Sequence, residues 1–223
     1  MTQARLLVLA AVGAASLYVL GAAALGTPPS ATDSPDRVLA WFREHHDAAR
    51  IYAWTGALGT LTFATMAGIV RNTLPPVARD VFLLGAAAFI VETAIQAWCW
   101  GALALHTGSL QPADARLLLD VASFWGPILT GATTTMIAAV TALGLRARPL
   151  IPRWLTALGA LAFVEQAVET ITVFGTHGFA APGGDMNVIL GAALTAVWLI
   201  GLVIWSFGRL AHAAEAPGAH AVG

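Results

Sequence analysis

Apolar residues dominate six long stretches of the chain, at 5–25, 51–70, 81–105, 117–145, 154–175 and 187–208. About 20 helical residues cross a bilayer core. The pattern therefore predicts an all-α, polytopic transmembrane bundle of six spans, one domain over residues 1–210. Helix-breaking punctuation separates the stretches: Thr27-Pro28-Pro29, Pro75-Pro76, Gln111-Pro112, Pro149 with Pro152, and Pro182-Gly183-Gly184. The first stretch also fits a secretory signal, but five spans downstream make a retained helix the simpler reading. Between the first two stretches, Ser34-Pro35-Asp36 reads as an N-cap, a first-turn proline and an early acid. Val38, Leu39, Trp41 and Phe42 then supply an apolar side. This predicts either a short amphipathic helix over about 35–48 on the outer membrane surface or a simple continuation into the second span. Residues 211–223 read as a disordered tail.

Arginine placement sets the orientation. With the N-terminus inside, Arg5, Arg71, Arg79, Arg146, Arg148, Arg153 and Arg209 are cytoplasmic, against Arg37, Arg43, Arg50 and Arg116 outside. Both termini are thus expected in the cytoplasm, in a multi-pass protein of the cell membrane, the bacterial inner membrane. An internal repeat is also suggested. Gly85-Ala86-Ala87-Ala88-Phe89-Ile90 is matched by Gly159-Ala160-Leu161-Ala162-Phe163-Val164, and Val91-Glu92-Thr93 recurs, out of step, as Val168-Glu169-Thr170.

Composition narrows the chemistry. The chain is 58% hydrophobic and 10% charged, where soluble domains carry about 25% charge. All 11 basic residues are arginine. Without lysine there is no Schiff-base or retinal chemistry. The single cysteine, Cys99, excludes an intrachain disulfide, a CxxC pair and a thiolate zinc site. A net charge of -1 without a basic tract makes nucleic acid an unsuitable partner.

The few acids inside the spans stand out, because a carboxylate at a helix centre costs roughly 2.5–3.5 kcal/mol on insertion scales. Glu92 falls mid-way along the third span, Glu165 mid-way along the fifth, Glu169 one turn beyond, and Asp120 near the outer end of the fourth. Glu92 shares a face with Gln96, and Glu165 with Glu169, each pair about 6 Å apart along its axis. Gln166 and Thr170 flank the second pair, Thr172 and Thr176 extend it, and Asn187 opens the sixth span. These positions predict a central polar cavity open to the outside, with Glu92, Glu165, Glu169 and Asp120 as catalytic candidates. Gln96, Gln166, Thr172 and Asn187 would bind substrate. No basic residue lies in the central turns, so the proton is the natural counter-ion of these acids, and Glu165 and Glu169 would share one. The competing reading is a buried hydrogen-bond network that joins helices.

Trp98, Trp100, Trp125 and Trp198 map near the cavity and would wall it. Trp41, Trp54, Trp154 and Trp205 fit an interfacial belt. His45, His46, His106 and His177 lack metal-ligand spacing and read as interfacial, so neither a metal nor another cofactor is expected. Cys99 reads as a small buried apolar residue. Pro127 would kink the fourth span and re-aim Asp120.

The layout resembles a group of uncharacterised bacterial six-helix integral membrane proteins. The features shared are Val38-Leu39-Ala40-Trp41-Phe42, Ile151-Pro152-Arg153-Trp154-Leu155 and Gly178-Phe179-Ala180-Ala181-Pro182-Gly183-Gly184. Trp125-Gly126-Pro127 after Asp120, together with Glu92, is similar to the emopamil-binding and sterol-isomerase group and to membrane-bound terpene cyclases. That second resemblance implies carboxylates that protonate an olefin, by analogy of chemistry. Together these observations lead to acid/base chemistry on a lipophilic small molecule, isomerase- or cyclase-like, or to binding of one. A proton- or cation-coupled transporter or channel, which as a six-helix unit would need to form a homodimer, is the alternative. A structural or accessory membrane subunit is the third reading.

Overall fold

The computed structural model describes residues 2–30, 32–123, 125–182 and 184–215, the side chains at 125–128, 188 and 214 excepted. Among the described residues it is all-helical. The elements are α1 (Gln3–Leu25), α2 (Pro35–Glu44), α3 (His46–Val70), α4 (Pro76–Leu105), α5 (Pro112–Ser123), α6 (Trp125–Gly144), α7 (Arg153–Glu169) and α8 (Ala192–Glu215). Short 3-10 turns, Arg71–Thr73 and Thr170–Phe174, extend α3 and α7, and a π-helical turn, Met186–Gly191, leads into α8. Among the described residues, five helices are long and apolar enough to cross a membrane: Gln3–Leu25, His46–Thr73, Pro76–Leu105, Arg153–Phe174 and Ile189–Ala213.

The fourth expected stretch is covered by α5 and α6, which lie on either side of residue 124, itself outside the described residues, and it holds a shorter apolar helical part, Leu129–Gly144. Asp114, Arg116 and Asp120 make α5 amphipathic, with Ala115, Leu119 and Ala122 buried.

The helices pack as a chain of neighbours: α1 on α3, α3 on α4, α4 on α6, α6 on α7, with α8 against α1 and α7. Phe82, Met136, Ile137, Val140, Leu155, Trp198 and Leu202 lie in one extended core. Between membrane helices close approach depends on small residues and buried polar contacts, and the glycines here show how. A side chain on Gly85 would meet the Ala132 carbonyl at 2.7 Å. At Gly21, Gly159 and Gly144 the space is taken by the hydroxyl of Thr55, Thr141 and Thr156, respectively. Gly85 of α4 thus packs on a helix that follows it, and Gly159 of α7 on the helix that precedes it, although the two align in sequence.

Seven arginines gather at one end. A hydrogen bond of 3.2 Å between Thr73 and Ser206 ties the end of α3 to α8 there, and a groove beside it is lined by Arg5 of α1 and Phe207 of α8. At the other end α2 forms from a capped start, with Ser34 Oγ accepting from the Arg37 amide at 3.3 Å. Its apolar side does not face lipid, as a surface helix would require. Val38, Leu39 and Phe42 are buried against Trp100, Leu103, Ala115 and Leu119. Helix α8 runs on to Glu215, so a disordered tail cannot begin at residue 211; residues 216–223 lie outside the described ones.

Candidate functional site

Helix α7 carries an almost continuous buried face: Leu155, Gly159, Ala162, Glu165, Gln166 and Glu169. The upper part is polar. Gln166 Nε2 donates to Glu165 Oε2 at 3.0 Å and to Glu169 Oε2 at 2.8 Å, so one amide group bridges two carboxyls. Gln166 Oε1 accepts the Thr133 hydroxyl from α6. Asn187, on the π-helical turn, donates its amide to Glu169 Oε1. The cluster is nearly sealed, with Glu165 8%, Gln166 3% and Glu169 3% exposed. Among the described residues, Glu165, Gln166 and Glu169 pair with amide and hydroxyl groups and with each other, and with no basic side chain. Glu165 Oε1 is buried and has no hydrogen-bond partner among the described residues.

The backbone around Asn187 is fitted to Glu169. The π turn presents both Asn187 and Gly191 to it. A Cβ on Gly191 would stand 2.2 Å from Glu169 Oε2 and 3.1 Å from Gln166 Nε2, so a glycine is required for the carboxyl to occupy this place. Single π turns inside helices recur at functional sites. Thr172 is fully buried just beyond, with its hydroxyl unpartnered.

Three polar candidates sit elsewhere. Asp120 is not in the cluster. Arg116 of α5, one turn earlier, donates to it through Nε at 3.0 Å, and also reaches the carbonyls of Ser30 and Asp33 at 3.1 and 3.0 Å. Asp120 thus has a cation as its counter-ion, where the cluster acids have amide donors. Glu92 is half-buried on α4, and Oε2 has no hydrogen-bond partner. Helix α4 packs on α6 at Gly85, and Gln96 bonds the Ala122 carbonyl at 3.2 Å. Glu92 lies between these levels on α4. Helix α6 stands between α4 and α7, so the expected single cavity holding all four acids does not form. Gln96 instead lines a small cavity of about 30 Å³ with Tyr18, Tyr52, Thr55 and Thr93. That is room for about two waters, not for a hydrocarbon substrate.

The tryptophans divide too. Trp98 points outward, 73% exposed. Trp100 is buried but belongs to the α2 contact, its ring 5.1 Å from those of Phe42 and Tyr52. Trp41, expected in the belt, joins the same group and stacks on His45 at 4.6 Å. The Trp125 and Pro127 side chains lie outside the described residues. Trp198 is fully buried in the α6–α7–α8 seam.

Sequence reasoning missed Thr133, Gly191 and the placement of Trp198. The first two had a signal only in retrospect, as a threonine and a glycine on helices rich in both. No protein-family model, no curated protein and no solved structure matches the chain.

Proposed function

We propose that the chain is a six-span integral protein of a bacterial inner membrane whose α7 cluster holds and exchanges a proton. It does so in acid/base chemistry on a lipophilic small molecule, or in binding one, that arrives from the bilayer. Helix α6, at about 30 Å, serves as the sixth span, and both termini face the cytoplasm by the arginine bias. Glu165 and Glu169, bridged by Gln166, carry this reading: two buried carboxyls fixed by amide donors and by no base. Each can be a neutral acid while its neighbour is a carboxylate, which is what donation and return of a proton require. Asn187 and Thr133 hold the frame. Asp120, Trp98 and Trp100 are not assigned to the chemistry.

The test is mass spectrometry of lipophiles that co-purify with the protein. A compound retained by the native chain and lost from Glu165→Gln and Glu169→Gln supports the reading. Equal retention in all three overturns it. Proton-coupled transport is the second reading, favoured by the unpartnered polar atoms along the α6–α7–α8 seam. An acid jump on proteoliposomes separates the two: lumenal acidification abolished by Glu169→Gln belongs to transport, and a tight membrane belongs to chemistry at a closed site.

A further inference from the structure

Seven described side-chain atoms are buried and have no hydrogen-bond partner among the described residues, and five of them lie on α6, the α7 segment and α8: Thr172 Oγ1, Glu165 Oε1, Thr195 Oγ1, Trp198 Nε1 and Thr141 Oγ1. Orphaned buried polar atoms are uncommon, because each costs about 1–3 kcal/mol. Helix geometry shows that they are ordered along the seam. Gly191 abuts Glu169; Thr195 follows one turn down α8, at the level of Glu165; Trp198 follows one turn further, against Gly159. At that glycine three helices meet. The point where a Gly159 side chain would begin is 2.2 Å from Thr141 Oγ1 and 3.3 Å from Trp198 Nε1. Ala162, fully buried between the Gly159 and Glu165 levels, keeps the α7 side narrow. Beyond Gly159 stand Thr156 and Gly144, in contact at the arginine-rich end.

We infer that the α6–α7–α8 seam binds a file of ordered waters from Glu165 to the Gly159 junction, and that this file carries the cluster's proton toward the arginine-rich end. The chemistry matches water at each step. Glu165 Oε1 accepts or donates, Thr195 and Thr141 do both, and the Trp198 indole only donates, which orients the water it holds. The distance from Glu165 to Gly159 is six residues, about 9 Å of rise, which two or three hydrogen-bonded waters span. Along the path a proton enters one water as another leaves it, so no net charge or atom is left behind. The hydration rests on these atoms alone; the proton route rests on the proposed protonated cluster.

Radiolytic hydroxyl labelling of the full-length protein in nanodiscs tests the hydration, because radicals form from trapped water beside the side chain they mark. Trp198 and Phe82 are both fully buried. Trp198 should label far faster than Phe82 and slow in the isosteric Thr141→Val variant. Equal labelling of the two rings overturns the file. Infrared deuterium exchange of the carboxylic C=O band tests the route. Exchange should slow about fivefold in Thr141→Val and in Trp198→Phe, the rate equivalent of one lost hydrogen bond, and stay unchanged in Thr172→Val. Slowing by Thr172→Val alone places the route at the opposite end and overturns the inference with the proton site intact. Absence of the band from the native protein removes the proton site, and with it the route, while Trp198 labelling still decides the hydration.

Discussion

At the residue scale, the cluster depends on one missing side chain. Gly191→Ala would push a methyl to 2.2 Å from Glu169 Oε2, and the carboxyl cannot retreat without losing Asn187 or Gln166. Overpacking of this kind costs about 1–3 kcal/mol. The expected result is a lower thermal midpoint in detergent, with much of the loss recovered in a Gly191→Ala/Glu169→Ala double variant, since the second change vacates the contested space. An additive double variant would show that the two sites do not meet. Asp120 gives the contrasting case. It is partly exposed, at 48%, and pairs with Arg116 on its own helix, so Asp120→Asn should cost less than about 1 kcal/mol. Ligand retention and the carboxylic band should be unchanged. Loss of either would return Asp120 to the site.

At the scale of elements, α2 and α5 form a covered end. The amphipathic pattern of 35–48 was legible, and so was its cap at Ser34. What the pattern cannot state is the identity of the surface that receives the apolar side, because lipid and a protein core satisfy Val38, Leu39 and Phe42 equally. Here α4 and α5 supply a protein surface. Phe42 is fully buried in it, 5.0 Å from Trp41 and 5.1 Å from Trp100. Phe42→Ala should therefore cost about 3–5 kcal/mol, and the amides of both α2 and α5 should lose protection from hydrogen exchange. Protection lost in α2 alone would mean that α5 holds its place without it. Ser34→Ala should cost about 1 kcal/mol by removal of the cap.

At the scale of the molecule, the proposed topology has a direct check. In a Cys99→Ala background, Gly178→Cys should react with a membrane-impermeant maleimide in intact cells. Arg148→Cys should react only after permeabilisation. The reverse pattern would invert the protein and turn the α6–α7–α8 seam to the other side. The seam also bears on the choice among functional readings. A network that serves only to join helices should be fully satisfied, since partly satisfied polar groups weaken a core. Thr133, Gln166, Glu169 and Asn187 meet that standard. Glu165 Oε1, Thr195, Trp198 and Thr141 do not meet it among the described residues, which is what the proposed water file would supply.

The sequence by itself determined the solvent, the helical class, the end where arginines gather and the cost of the few acids between. Each of these follows from hydropathy and charge read position by position, and such terms add along a chain. It also marked Glu165 and Glu169 as partners, because a spacing of four residues brings them to one face of any helix. Only the tertiary structure decided that Gln166 bridges them, that Asn187 and Gly191 close around Glu169, and that Glu92 and Asp120 stand apart. Which residues converge depends on the rotation of each helix about its axis and on which helices are neighbours. Those are set by close-packed contacts such as Gly85 on Ala132 and Gly159 on Thr141, and in a chain this rich in glycine, alanine and threonine many such contacts are available to the sequence while the fold uses few.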